Sequence, residues 1–137
     1  MQAVYQYIIQ KGNEEEILEY TVVKDEYIPE TQEFAKELFR GVFTNKELIE
    51  ALISSHSIDW KIERIAIIDK SILMVSIWEL LYTATSVKVI ISESIELVKK
   101  YSAYEAIKFI NGVLGSIAKE RETLREKNNI EVVCLAE

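Results

Sequence analysis

The chain has 137 residues, enough for one domain that buries its own core, and its single cysteine, Cys134, excludes an internal disulfide and leaves no zinc cluster to build around the lone His56. One proline and four glycines argue against a many-turned β protein, and the abundance of Glu, Lys, Leu, Ile and Ala favours helices. The net charge of −7 is unevenly spread: residues 1–60 hold 12 acidic and 5 basic side chains, residues 61–137 hold 11 of each, so a polyanion would be repelled by the first half and tolerated by the second.

Met1 to Lys11 sets Val4 and Ile8, and Tyr5 and Ile9, four residues apart, predicting a helix closed by Gly12; no basic segment precedes its apolar residues as in a signal peptide. Glu14 to Ile28 is acidic and irregular, a loop with at most a short helical piece. Pro29 opens the next helix, in which Phe34, Leu38 and Val42 form the buried stripe and Gly41 lies near the end. Thr44 and Glu47 have the spacing of a capping box and predict a helix through Leu48 and Leu52 that ends near His56; Ser57 and Asp59 then offer caps before Trp60.

From Ile65 to Tyr82 apolar residues occupy almost every side, which predicts a central helix covered by neighbours all round; Asp69, Lys70 and Glu79 interrupt the run and argue against a membrane span. Thr83 to Ser86 is a short connection. A helix from about Val89 to Tyr101 follows, with Ile91, Ile95 and Val98 as its inner stripe. Ser102 and Glu105 repeat the capping-box spacing before a long helix with Phe109, Val113 and Ile117 facing inward. Beyond Ile117 charge lies on all sides, so the helix is expected to project into solvent and fray through Lys127, with a flexible tail from Asn128 in which Val132, Val133 and Leu135 allow a weak contact. The resulting expectation is an all-α single domain, a bundle of five to seven helices in two layers, divided into residues 1–57, 58–120 and the charged end 121–137.

An enzyme is hard to assemble from this inventory. There is no Glu-x-x-His pair, no Walker loop, no Gly-x-Gly-x-x-Gly and no nucleophile beside His56, and Glu14-Glu15-Glu16 lacks the spacing of a calcium loop. No catalytic residue, cofactor or metal site is expected. His56 reads as a cap on the last carbonyls of its helix. Lys99, Lys100 and Tyr101 end one helix and Lys108 and Phe109 lie on the next, so the connection at Ser102 brings cations and aromatics together, a mixture suited to single-stranded RNA. The same residues also fit plain structural roles, Tyr101 and Phe109 as core and the lysines as complements to a helix dipole.

Three blocks in order, Trp78-Glu79-Leu80-Leu81-Tyr82, Ile91 to Tyr101 and Phe109-Ile110-Asn111-Gly112-Val113-Leu114, resemble the NusB family of bacterial transcription antitermination factors, a likeness running from Gln2-Ala3-Val4-Tyr5 to about Ile117. The resemblance implies a NusB-like helical fold and a cytoplasmic protein. Its implied function is to bind boxA-like single-stranded RNA of ribosomal RNA transcripts, together with the ribosomal protein NusE, within an RNA polymerase antitermination complex. It places Lys99, Lys100, Tyr101, Glu105, Lys108 and Phe109 on the RNA face, with Glu105 tempering affinity, and Tyr5, Ile9 and Asp69 on the partner surface. Asn111 and Gly112 match as well, Asn111 as a structural hydrogen-bonder and Gly112 as a close helix contact. Glu79 is expected to pair with Arg64 or a lysine.

The chain departs from the family pattern in several places. Met74 stands where relatives carry arginine, Ser92 where they carry asparagine, and Thr85-Ser86 replaces a proline. The arginine-rich turn usual before the Gln-Ala-Leu-Tyr segment is missing, since Met1-Gln2 opens inside that helix; either the start lies upstream or the protein leans more on its partner to hold RNA. The alternatives are a helical protein-interaction module with weak or no RNA binding, which the acidic first half favours, and a fragment of the NusB-like domain that precedes RNA cytosine methyltransferases. A homodimer through the surface that otherwise meets the partner is a further expectation.

Overall fold

The computed structural model describes residues 38–57 and 65–132, and these contain six helices and no strand. They are α1 (residues 38–44), α2 (Lys46–His56), α3 (Ile67–Tyr82), α4 (Val87–Tyr101), α5 (Ala106–Lys119) and α6 (Arg121–Lys127). The segments around Tyr5, Ile9, Phe34, Asp59, Trp60 and Arg64 lie outside the described residues, as does most of the expected division at 57–60.

The central position of α3 follows from its composition. Ile72, Leu73, Met74, Val75, Ile77, Trp78, Leu80 and Leu81 are all buried, and α3 touches α2, α4, α5 and α6. A helix apolar on every side has no face to give to water, so the others assemble around it. Met74 is itself 2% exposed, a position where a charged side chain would have to be paired or reach solvent. The ring of Trp78 stacks on Tyr82 with centroids 6.0 Å apart. On its way past α1 the Trp78 indole occupies the space that a Cβ on Gly41 would fill, so Gly41 sets how closely α1 and α3 approach. Gly112 does the reverse of what its sequence suggests: a Cβ there would meet nothing within 4 Å, and the residue is exposed.

Neither expected capping box forms. The backbone at Thr44 is still helical, closing α1, and Asn45 makes the turn into α2 without capping it. The Asn45 side chain instead donates to the Gly41 carbonyl (2.8 Å) and accepts from the Tyr82 hydroxyl (2.8 Å), tying the α1–α2 corner to the end of α3. Ser102 ends α4 rather than opening α5: its N–H donates to the Val98 carbonyl and its hydroxyl to Asp69 at the start of α3. The helix α4 does have a cap, Ser86, whose hydroxyl accepts from the Val89 N–H (3.2 Å), and it therefore starts two residues before the expected Val89.

Inner faces are also rotated from the expected stripes. On α4 the buried residues are Ile90, Ser94 and Val98, with Ile91 and Ile95 half-buried. Ser94 sits at the centre because its small hydroxyl meets Ser76 of α3 at 2.5 Å and also donates to the Ile90 carbonyl, which leaves both groups satisfied in the core. On α5 the buried residues are Ile110, Val113, Leu114 and Ile117, and Phe109 is half-buried at the edge.

The charged end of the chain does not project into solvent. Glu120 breaks the helix, and α6 turns back so that Leu124 is buried and Arg121 and Arg125 reach the last carbonyls of α3 and those of the connection after it. Arg121 donates to the Leu80, Thr83 and Thr85 carbonyls, and Arg125 to those of Leu80, Leu81 and Thr83. The last carbonyls of a helix have no partner within it and carry its negative dipole end, so two guanidinium forks are well matched to this place. α6 stops without fraying: Asn129 takes φ 52°, the Ile130 N–H reaches the Arg125 carbonyl (2.9 Å), and Ile130 packs on the core. That is a Schellman cap with its hydrophobic contact.

Candidate nucleic-acid interface

The turn between α4 and α5 is built from both sides. The last turn of α4 presents Lys99, Lys100 and Tyr101, and Val98 beneath them is fully buried, which fixes the helix end against the core. The hydroxyl of Ser102 then donates to the carboxylate of Asp69, a residue 9% exposed in the first turn of α3. A carboxylate there is favoured by the helix dipole. The chain next winds through Ala103 and Tyr104 into α5, with the Ala106 N–H on the Ala103 carbonyl (2.9 Å) and the Ile107 N–H on that of Tyr104 (3.2 Å).

Five of the six residues expected on the RNA face are exposed here: Lys99, Lys100, Tyr101, Glu105 and Lys108. Phe109, the sixth, is half-buried. Lys99 pairs with Glu96 at 3.6 Å, but both side chains are more than half exposed, so water screens the pair and leaves the ammonium available to another anion. The Lys100 ammonium lies 5.2 Å from the centroid of the Tyr101 ring. A shallow open depression lined by Ser92, Glu93, Glu96, Leu97, Lys99 and Lys100 runs along α4 beside them. Tyr104, which no spacing rule had singled out, is the most exposed large hydrophobic side chain of the group. Its only signal in the sequence is an aromatic residue inside a polar turn.

Of the expected partner surface, Asp69 is described and is engaged with Ser102, while Tyr5 and Ile9 lie outside the described residues. His56 is placed as the sequence suggests. Its Nδ1 lies 2.9 Å from the Leu52 carbonyl at the end of α2, and its Nε2 lies 2.9 Å from Glu120 at the α5–α6 break. Glu50 faces Lys70 at 3.5 Å and Lys46 at 3.9 Å, both beyond a close hydrogen bond, so one of its oxygens is held by charge alone. Two groups are shifted in acidity. Burial raises the Tyr82 phenol above its ordinary value, and burial, with Arg125 adding to it and Glu122 opposing, lowers the Arg121 guanidinium. Among the described residues no three His, Cys, Asp or Glu side chains cluster as a metal site, and no helix is long and apolar enough to cross a membrane.

The described residues form an all-helical bundle around one apolar helix, with a turn of cations and exposed aromatics at one end. The NusB family sequence profile matches residues 1–119. The transcription antitermination protein NusB of a Nitratiruptor species is 38% identical over 106 residues, covering 77% of this chain and 73% of that protein. The protein of the same name from Acetivibrio thermocellus is 36% identical over 120 residues, covering 87% and 83%. NusB of T. maritima superposes with a TM-score of 0.82 at 30% identity, covering 93% of this chain and 90% of that one. A crystal structure of antitermination factors NusB and NusE in complex with dsRNA is similar with a TM-score of 0.77 at 27% identity, covering 85% and 88%. The chain belongs to the NusB family.

Proposed function

We propose that this protein binds boxA-like single-stranded RNA of ribosomal RNA transcripts together with NusE, and that the pair joins an RNA polymerase antitermination complex in the cytoplasm. Its action is assembly, with no chemical step. The observation that carries this reading is the α4–α5 turn: Lys99, Lys100 and Lys108 supply phosphate contacts, and exposed tyrosines supply stacking, on the half of the chain that is free of excess negative charge. A related NusB crystallised with NusE and RNA supports the choice of partners. Phe109, at the edge of the patch, is half-buried and packs against the core.

Tyr5, Ile9 and Asp69 remain the surface proposed for NusE, and Asp69 also accepts a hydrogen bond from Ser102 at the turn. The test is a titration of labelled boxA RNA with this chain and NusE at two salt concentrations, against a scrambled RNA. Selective, salt-sensitive binding supports the reading; each lysine removed should flatten the log–log salt slope by roughly 0.7. Binding of NusE without RNA selectivity would favour the interaction-module alternative, for which the exposed Glu96 and Glu105 beside the lysines speak.

A further inference from the structure

We propose that Tyr104 is a stacking platform for one unpaired base, with Lys108 holding the adjoining phosphate, an inference that rests on the RNA-binding reading above. Tyr104 is 78% exposed, against 47% for Tyr101, and it is the most exposed large hydrophobic side chain among the described residues. Among the described residues its ring has no hydrogen bond, ion pair or ring contact, whereas Tyr101 already has its neighbour's ammonium over one face. An aromatic ring left bare in water beside cations is the arrangement that single-strand binding proteins use to take a base.

Backbone geometry supplies the phosphate partner. Because the Tyr104 carbonyl accepts from Ile107 and Glu105 already has helical dihedrals (φ −63°, ψ −22°), the chain is wound from Tyr104 into α5, and Lys108 lies one turn further along the same side. Lys108 is exposed. Exposed Glu105, between them in sequence, repels phosphate from the turn itself, so a strand meets Tyr104 base first and places its charge at Lys108.

The test uses the full chain with NusE and a fluorescent boxA-like oligonucleotide, offered single-stranded and annealed to its complement. Tyr104→Ala should weaken single-strand binding by about 5- to 150-fold, the usual loss of one stacked base, while Tyr104→Phe keeps the ring and binds within about twofold of the parent. The salt slope should be unchanged by Tyr104→Ala and flattened by roughly 0.7 by Lys108→Ala. Duplex binding should be insensitive to Tyr104→Ala, because a paired base offers no free face. Equal affinity of Tyr104→Ala and parent for the single strand would overturn the inference while leaving RNA binding intact, as would an equal loss on single strand and duplex. A parent protein that does not prefer boxA RNA to a scrambled sequence would instead remove the RNA reading and this inference with it.

Discussion

Arg125→Ala tests whether α6 is a structural clasp on the central helix. Four carbonyls, two in the last turn of α3 and two in the connection after it, are shared unequally: those of Leu80 and Thr83 accept from both arginines, Leu81 accepts only from Arg125, and Thr85 only from Arg121. Removing Arg125 therefore orphans one carbonyl outright, at about 1–3 kcal/mol, and removes a cation from a helix C-terminus, at about 0.3–1 kcal/mol. The expected loss is about 2–3 kcal/mol, because the Arg125 side chain is only 14% exposed and little water can substitute for it. Arg125→Lys should recover the dipole part alone, since an ammonium cannot span carbonyls as the guanidinium fork does.

The double variant gives the sharper result. With Arg121 and Arg125 both replaced by Ala, Leu80 and Thr83 lose their second donor, so the combined cost should exceed the sum of the single costs by about 0.5–3 kcal/mol. Mutual repulsion of the two guanidinium groups, which after burial contributes to the lowered pKa of Arg121, acts in the same direction, because each single variant relieves it and the double relieves it only once. Urea unfolding followed by circular dichroism measures all three, with an unchanged m-value confirming a common unfolded state. A loss below about 0.5 kcal/mol for Arg125→Ala, or additivity within that margin, would refute the clasp.

Two glycines should respond with opposite sign: Gly41→Ala drives a methyl into the Trp78 indole and should cost at least about 1–3 kcal/mol, whereas Gly112→Ala faces open space in a helix and should gain about 0.5–1 kcal/mol, both read by thermal or urea unfolding. Tyr82 gives a pH signature. Its phenol is raised in the folded state, so the native protein holds that proton more tightly than the unfolded chain; the contribution is complete below about pH 10 and is lost as pH rises through the folded value. Tyr82→Phe should flatten that alkaline fall and cost about 0.5–1.5 kcal/mol at neutral pH for the hydrogen bond to Asn45.

The central helix was legible in the sequence because apolar residues on all sides, broken by Asp69, Lys70 and Glu79, fit a buried helix and not a membrane span. The role of His56 was legible too, since capping acts within one turn. Much of what escaped shares a cause, a partner far along the chain, although the Ser86 cap of α4 and the Asn129 turn that closes α6 are local. Thr44 and Glu47 carry a capping signal, but α1 continues through Thr44, and the corner is set by Asn45 and Tyr82. Ser102 looks like an N-cap and is drawn to a carboxylate 33 residues earlier. Ser94 looks solvent-facing until Ser76 is placed opposite it. Arg121 and Arg125 read as a solvated charge run because their carbonyl acceptors lie some 40 residues upstream and backbone acceptors leave no trace in residue type. The proposed RNA face rests on composition alone, and its most exposed ring, Tyr104, obeys no spacing rule.

The central helix also separates stability from the site, and Asp69 is where the separation can be tested. The arginine clasp grips the C-terminal end of α3, whereas Asp69 holds Ser102 from the N-terminal end; at about 1.5 Å of rise per residue the two ends are roughly 20 Å apart. Perturbations so far apart, with no shared partner, should act independently. Arg125→Ala should therefore lower stability and leave the RNA affinity of the folded protein unchanged. Asp69→Ala should lower stability by about 1–3 kcal/mol and also release the α4–α5 turn, so that the amides of Ser102, Ala106 and Ile107, which close that turn, exchange with solvent faster while those of α3 keep their protection. RNA binding should weaken in parallel, because Lys99, Lys100, Tyr101 and Lys108 are presented by the two helix ends that Ser102 joins. Unchanged exchange at those three amides in Asp69→Ala would mean that the turn is held by the buried faces of α4 and α5 alone, and that the Asp69–Ser102 bond has no part in shaping the interface.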